Sequence, residues 1–589
     1  AFLNPPPQQR ISPGAAAQAA LFFSPRTRKQ IRKNHTTTRR RRDVTQDRRY
    51  GTGERGPLSP EPSWEQVLER NSIERLKLEK APVAILDELE DLGRRPYLDI
   101  AEEDIVRLRW YGLYHDKPKV GEFMLRIKLP AGRLTAEGLR LIGELSREQG
   151  KGFAELTTRQ NVQLHFLKLG EVPGILSRLS SVGITTAGAC GDAVRNVTGC
   201  PLTGILAAEA FDVGPVVDAA AELFYGNPAY MNLPRKHKIT VSACPAQCDM
   251  PEINCISFVA VSGDEPGFAV RVGGGLSTAP RLARDLGVFV SFGDAIPVMQ
   301  AIVDVWNEDR RYRLSRVKAR MKFMVDDYGV EAMRAKVEER LGRALADGKA
   351  PEAGPAADHM GVHEQRQPGL YHVGVPVAVG IVRGEQLIAI ADLIRASAGA
   401  DARITKQQNL ILANVPEARV DDVVTGLADI GFPVDANPLH ATAIACTGEP
   451  HCNYAVTETK GRMQTILTHL EERWGTRLGG FRLNLDGCPH ACALHWVGDI
   501  GLMGTTARQP VDGDKRAFDL FLRGGTGPLE AVGRPLVRRV PFPRVEAALD
   551  RLIGAWLDQR GDGDLPFRDF CIERSDEELV SIAHGGETA

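Results

Sequence analysis

At 589 residues, 43% hydrophobic and 25% charged, the chain has a globular composition and the length of several domains. No apolar run reaches the roughly 18 residues of a membrane-spanning helix, which excludes that class. Ten cysteines are too sparse for a disulfide scaffold, and with no secretory signal segment they read as reduced thiols or metal ligands.

The net charge of −1 conceals an asymmetry. Residues 1–50 carry 12 Lys/Arg against two acids, Asp43 and Asp47; setting them aside leaves 62 basic and 73 acidic residues, a body near −11. The stretches "NPPPQQR", "GAAAQAA" and "TTTRRRR" lack apolar periodicity, so residues 1–62 are expected to form a disordered basic tail. Such a tail suits a transit peptide or a nucleic-acid arm; a solvated extension is the expectation preferred here. Salt-sensitive nucleic-acid binding that vanished without residues 1–56 would contradict it, as would a truncation before Pro57 that lost activity or location.

A helical segment is predicted over 63–110, where "SWEQVLERNSIERLKLEKAP" begins, and residues 576–589 form a C-terminal tail. Between them the chain is duplicated. "LTTRQNVQL" (156–164) is echoed by "ITKQQNLIL" (404–412) at an offset of 248, which also aligns Gly132 with Gly380, Leu139 with Leu387, Leu145 with Leu393 and Gly183 with Gly431. Each copy reads as strand, Gly turn, amphipathic helix ("LTAEGLRLIGELSREQG"; "QLIAIADLIRASAG"), strand and second helix. Further on, "HKITVSACPAQCDMPEINCISFVAV" (237–261) is echoed by "FRLNLDGCPHACALHWVGDIGLMG" (481–504), with Cys244 and Cys248 lying 244 positions before Cys488 and Cys492. Repeats this long are duplicated half-molecules with a pseudo-two-fold body, not solenoid units. A linker, "DGKAPEAGPAADH" (347–359), separates them.

The copies differ where chemistry would show. Arg126 aligns with Gly374 and Arg159 with Gln407, whereas "ACTGEPHC" (445–452) adds Cys446 and Cys452 ahead of Cys488 and Cys492. One composite site, cationic from the first half and thiolate-rich from the second, accounts for this better than two independent sites. Four cysteines in two close pairs suit zinc or an iron–sulfur cluster, because thiolate is a soft ligand. Zinc sites favour C-x2-C turns, so C-x5-C with C-x3-C points to a cluster, with scattered core cysteines as the alternative.

The C-x5-C…C-x3-C pattern, "LPRKHK" (233–238), "TTRQNVQLH" (157–165) and "VRNVTGCPL" (194–202) together resemble the ferredoxin-dependent nitrite and sulfite reductases, over about residues 63–575. The resemblance implies an α+β, internally duplicated, pseudo-two-fold architecture. Two ferredoxin-like half-domains (111–185 and 360–436) would join a siroheme/substrate-binding domain (186–346) and an iron–sulfur/siroheme-binding domain (437–575). It implies a siroheme coupled to a 4Fe–4S cluster on Cys446, Cys452, Cys488 and Cys492, with Cys492 bridging cluster and haem iron. Arg126, Arg195, Lys236 and Lys238 match the family's substrate-contacting positions; Arg159, Gln163 and His165 match positions lining the siroheme. On a strand, Lys236 and Lys238 would share a face, as would Arg159, Gln163 and His165.

Fixed cations suit an anionic substrate and its developing oxyanions, and lysine is the more tunable proton donor. In this family Lys-x-Lys after "LPR" marks sulfite enzymes and Lys-x-Asn nitrite enzymes. Lys238 thus favours sulfite, while "VRNVTGCPLTGI" looks closer to the nitrite type. No G-x-G-x-x-G follows a strand, so no flavin or nicotinamide domain is read, and the resemblance implies ferredoxin as donor. The expected protein is a cytoplasmic or plastid-like monomer without membrane or nucleic-acid partners. A haem and iron–sulfur electron carrier is the competing class, and a siroheme-type protein of tetrapyrrole synthesis ranks below it.

Three features stay open. "RVGGGLS" (271–277), echoed by "LRGGTG" (522–527), offers consecutive N–H groups that would cup a carboxylate. Cys190, Cys200, Cys244 and Cys248 are expected to be buried relics of the duplication, leaving about four cluster irons per siroheme. Tyr114, if close to Cys190 at the substrate entrance, would gate access or form a thioether, detectable as a mass loss of about two hydrogens that Cys190→Ala abolishes.

Overall fold

The structure is a computed structural model that describes residues 58–397 and 399–586; most of the basic tail lies outside the described residues. Short helices from Trp64 to Leu108 open the described chain. The first of them is closed by a capping box between Ser63 and Gln66. No helix among the described residues is long and apolar enough to cross a membrane.

Two five-stranded sheets carry the first repeat, and each borrows an edge strand from the other half. One runs Leu113–His115, Glu122–Ile127, Val162–Lys168, Phe153–Leu156 and Ile381–Arg383; the other runs Gly361–Glu364, Leu370–Val375, Leu410–Pro416, Asp401–Ile404 and Arg133–Leu134. Ile381–Arg383 pairs antiparallel with Phe153–Leu156, and Arg133–Leu134 with Asp401–Ile404. Neither half therefore completes its sheet alone.

The offset of 248 is written in the backbone. Ala131 and Val379 both take positive φ (50° and 51°), as do Gln160 and Gln408 (54° and 67°) and Gly183 and Gly431 (73° and 100°). Such values are uncommon for side chains with a Cβ, so their recurrence reflects a shared chain path. The amide of Gln160 donates to the Ile404 carbonyl at 3.1 Å, and that of Gln408 to the Leu156 carbonyl at 2.8 Å, the same bond across the pseudo-dyad. The helices Ala136–Glu148 and Gly384–Ala396 cross on this axis. A Cβ on Gly143 would stand 2.7 Å from the Gly384 carbonyl oxygen, and one on Gly384 2.6 Å from that of Gly143. Only glycine permits that approach. Leu139, Ile142, Leu145, Leu387, Ile390 and Ile394 fill one shared core around it.

The second repeat builds two further sheets. Thr198–Gly199, Ile239–Ser242 and Ile256–Val261 pair in parallel, and the sheet continues antiparallel through Gly267–Val272 and Arg284–Ser291 to the edge strand Ala346–Asp347. Ile444–Ala445, Leu483–Asp486, Ile500–Val511, Asp514–Leu522 and Arg534–Pro541 repeat that order. Both C-x3-C loops leave the second strand of their sheet. In these loops Gln247 and Met250 match Ala491 and Leu494 in positive φ (47°, 52°; 55°, 64°).

Candidate functional site

Residues from all four sheets and the loops beside their strands come within electrostatic reach of one another. Arg126 lies on Glu122–Ile127, opposite Gln163 on Val162–Lys168. Its Nε and Nη2 donate to Gln163 Oε1 at 3.0 and 2.5 Å, and its Nη1 lies 3.0 Å from Cys190 Sγ. Gln163 passes the contact on: its Nε2 donates to Glu155 Oε2 at 3.1 Å and to Thr447 Oγ1 at 3.2 Å. Arg195 donates to the Ala189 and Gly191 carbonyls at 3.1 and 2.7 Å, while its buried Nε has no hydrogen-bond partner among the described residues.

Lys236 and Lys238 flank His237, whose ring is fully buried and whose chain pairs with Val194; the two lysines therefore emerge on the other side, as i, i+2 spacing predicts. Among the described residues neither ammonium group makes a hydrogen bond or ion pair, although the Lys238 carbonyl accepts from Cys255 N at 2.9 Å. Burial, then Arg320 and Arg195, bring Lys236 down to about 7. Burial, Arg159, Lys236, Arg320 and Lys406 hold Lys238 well below the usual lysine range. Tyr114 lies near Arg126, Arg195 and Cys190: burial and Cys190 raise its hydroxyl to about 12.

Arg159 departs from the expected strand alternation. It sits in the turn before Val162–Lys168, because Gln160 takes positive φ. Its Nη1 donates to Asn254 Oδ1 at 2.6 Å and its Nη2 to the Asn196 and Ile239 carbonyls at 2.5 and 3.2 Å. Gln163 and His165 do share a strand face, but His165 is only 2% exposed. Its Nδ1 lies 2.8 Å from Asp116 Oδ1 and its Nε2 3.6 Å from Glu155 Oε2. His165 Nε2 thus faces the Glu155 carboxylate, which accepts from Gln163 Nε2.

That arrangement has a pH signature. Burial would lower His165, yet Glu155 and Asp116 outweigh it and raise the imidazole from 6.5 to about 9. His451, its ring 5.2 Å away, is itself lowered by burial and His165. A raised folded-state pKa stabilises the cation, fully below about 6.5, and the benefit is lost as pH rises through about 9. His165→Gln should therefore cost roughly 3 kcal/mol below pH 6.5, with the gap to wild type narrowing above pH 9. Thermal unfolding across that range checks it; a gap independent of pH contradicts it.

The second half faces this cationic wall with sulfur. Cys446 follows Ile444–Ala445, and the backbone N–H of Gly487 donates to its Sγ at 3.2 Å. Asp486 orders the C-x3-C loop, accepting from Ala493 N at 2.8 Å and from His495 N at 3.2 Å, with His495 Nδ1 2.9 Å away. Burial raises the thiols of Cys446 and Cys488 (to about 12), and that of Cys492 as well, and Asp486 and then Cys452 push each further up. The four thiols thus lie near enough to act on one another electrostatically. Lys236 and Arg126 counter the rise at Cys492, and Thr158 Oγ1 donates to the Cys492 carbonyl at 2.7 Å, tying the two halves.

This donor set fits an iron–sulfur cluster beside a polyanionic cofactor. Four soft ligands lie within electrostatic reach of one another, and next to them stand cations that burial and mutual repulsion leave short of anions. Two cations that sequence reasoning missed belong to the wall. Lys406, in the echo "ITKQQ", is brought to about 8 by burial and Arg159 and donates to the Asp249 carbonyl. Arg320 donates to Cys255 Sγ at 3.2 Å. The Gly-rich loop is less open than "RVGGGLS" suggests. Its Gly273 and Gly275 N–H groups already bond the Cys255 and Arg281 carbonyls at 2.9 Å each, so consecutive free donors are not available.

Comparison with known proteins agrees with this geometry. The nitrite and sulphite reductase 4Fe-4S domain matches residues 190–345, and the nitrite/sulfite reductase ferredoxin-like half domain matches 115–182 and 363–430. The chain is similar to "Sulfite reductase [ferredoxin] 1" of Mycolicibacterium paratuberculosis, 34% identical over 86% of this chain and 96% of that one. It is also similar to the assimilatory ferredoxin-dependent nitrite reductase of Haloferax mediterranei, 33% identical over 82% and 88%. The solved Mycobacterium tuberculosis NirA protein superposes with a TM-score of 0.82 at 32% identity, covering 87% of this chain and 97% of that one. Doubled ferredoxin-like halves, a cationic wall and four neighbouring cysteines, found with relatives along nearly the whole fold, place this chain in the nitrite and sulphite reductase family.

Proposed function

We propose that the chain reduces sulfite to sulfide with electrons from ferredoxin, and that nitrite reduction to ammonium is the second reading. The observation that supports it is that Arg126 and Lys236 bear on Cys492, with Arg195 and Lys238 beside Lys236. An electron carrier has no use for such an anion trap. The relatives named sulfite reductase [ferredoxin] cover more of this chain, 86%, than those named for nitrite, 82% and 78%, which supports sulfite, and Lys238 points the same way.

Cys446, Cys452, Cys488 and Cys492 would hold the 4Fe–4S cluster, and Arg159, Lys406 and Arg320 suit the siroheme carboxylates. When bound, these groups supply the electrons that cleave the S–O or N–O bonds. The chain supplies the rest. Arg126, oriented by Gln163, and Arg195, oriented by two carbonyls, present rigid guanidinium groups to the anion's oxygens. Lys236, near 7, is poised to give up the proton on its Nζ at neutral pH, and the arriving anion favours its recharging. Lys238, lowered by burial and the surrounding cations, is recharged by an arriving anion in the same way, and sulfite, with more charge and more oxygens than nitrite, can use that further cation.

Lys238→Asn should lower kcat/KM for sulfite by about 10- to 100-fold, the worth of one hydrogen bond to a charged group, while sparing or raising nitrite turnover. Steady-state rates with a reduced viologen check this. An unchanged preference removes Lys238 as a basis for choosing sulfite.

A further inference from the structure

Apart from that site, Cys200, Cys244, Cys248 and His359 each bring one ligand atom to within 4.8 Å of the others. Cys200 Sγ lies 3.6 Å, and Cys244 Sγ 3.7 Å, from His359 Nε2. A tetrahedral zinc ion with Zn–S near 2.3 Å and Zn–N near 2.0 Å has sulfur–nitrogen edges of about 3.5 Å. The group already stands close to that shape. All three thiols are buried. Cys190, grouped with them by sequence, is elsewhere, against Arg126.

The position in the fold is informative. Cys200 follows Thr198–Gly199 as Cys446 follows Ile444–Ala445, and Cys244 and Cys248 stand where Cys488 and Cys492 stand in the other half. Three of the four cluster positions are thus repeated across the pseudo-dyad. The fourth, Cys452, has Leu206 at its spacing from Cys200. His359 takes that place from a different direction, as the last residue of the predicted linker. The linker is laid across the C-x3-C loop on the way: Gly354 N donates to the Pro245 carbonyl at 2.8 Å, and Gln247 Nε2 to the Pro351 carbonyl at 2.9 Å. Inert burial as small apolar side chains does not explain an imidazole facing three sulfurs.

We propose that Cys200, Cys244, Cys248 and His359 bind one zinc ion, which staples the connection between the two halves to the first of them. Three thiolates and one imidazole make a closed, tetrahedral Cys3His set with no position left for substrate, the form of a structural site. A four-iron cluster holds its thiolates apart around its own core, so sulfurs gathered this tightly suit a single ion. Binding displaces the thiol protons and requires neutral imidazole, and the ion's binding energy adds to the stability of the linked halves.

Metal analysis of the purified holoenzyme by mass spectrometry, with mercurial release of zinc into a chromogenic chelator, tests this. The expected result is about one zinc per chain beside the cofactor iron. Cys248→Ser and His359→Ala should lose it while keeping siroheme absorbance and iron content, and His359→Cys should keep it. Absence of zinc from the wild type, an additional mononuclear iron in its place, or equal zinc in wild type and both losing variants would overturn the proposal. The readout is metal content, so it stands or falls independently of the substrate assignment.

Discussion

Arg126→Gln is expected to lower kcat/KM for sulfite by about 100- to 1,000-fold, the usual cost of removing one preorganised donor from a developing oxyanion. The guanidinium is held on one edge by Gln163 Oε1 at 2.5 and 3.0 Å, and behind Gln163 stand Glu155 and Thr447. Burial opposes its charge, but Cys190 and Tyr114 restore it and raise its pKa. A neutral amide at 126 can still bond Gln163, so the fold is retained while the fixed charge is lost. Siroheme absorbance and iron content should match wild type, separating a binding defect from a loading defect. A variant within threefold of wild type would remove Arg126 from the substrate's contacts.

Cys492→Ser should be more severe still, taking viologen-driven turnover to background. Serine is a harder and poorer ligand than thiolate, and the C-x3-C loop is shaped around this position by Asp486 and by the left-handed residues Ala491 and Leu494. Roughly four irons per chain should be lost, together with the cluster's paramagnetic signal in the reduced state. The zinc proposed at Cys200, Cys244, Cys248 and His359 should remain. Retention of a full cluster and full turnover would contradict the ligand assignment.

Much of this architecture was legible because it is written twice. The alignment of Gly132 with Gly380 reappears as paired left-handed turns, and the two C-x3-C loops share their φ signature. The exchange of edge strands was not legible: Arg133–Leu134 and Ile381–Arg383 span two and three residues, too short to carry a period and masked by the turns before them. The cationic pairs were visible as spacing, but their supports were not. Glu155, Asp116 and Thr447 come from three separate segments and meet only through the sheet. Lys406 was within reach, since the same echo that aligned Gln407 with Arg159 contains it. Arg159 itself was placed on a strand because nothing local announces that Gln160 turns left-handed. His359 carried a faint signal, a histidine closing an Ala/Pro/Gly-rich linker, and its partners lie more than a hundred residues upstream.

The most direct test of the account is kcat/KM for sulfite and for nitrite, measured on the siroheme-loaded protein with a chemically reduced viologen as donor. The account predicts turnover of both anions with a clear preference for sulfite. A clear preference for nitrite would contradict it, assigning Lys238 to the cofactor or to proton delivery; turnover of neither by cofactor-replete protein would contradict the enzymatic reading itself.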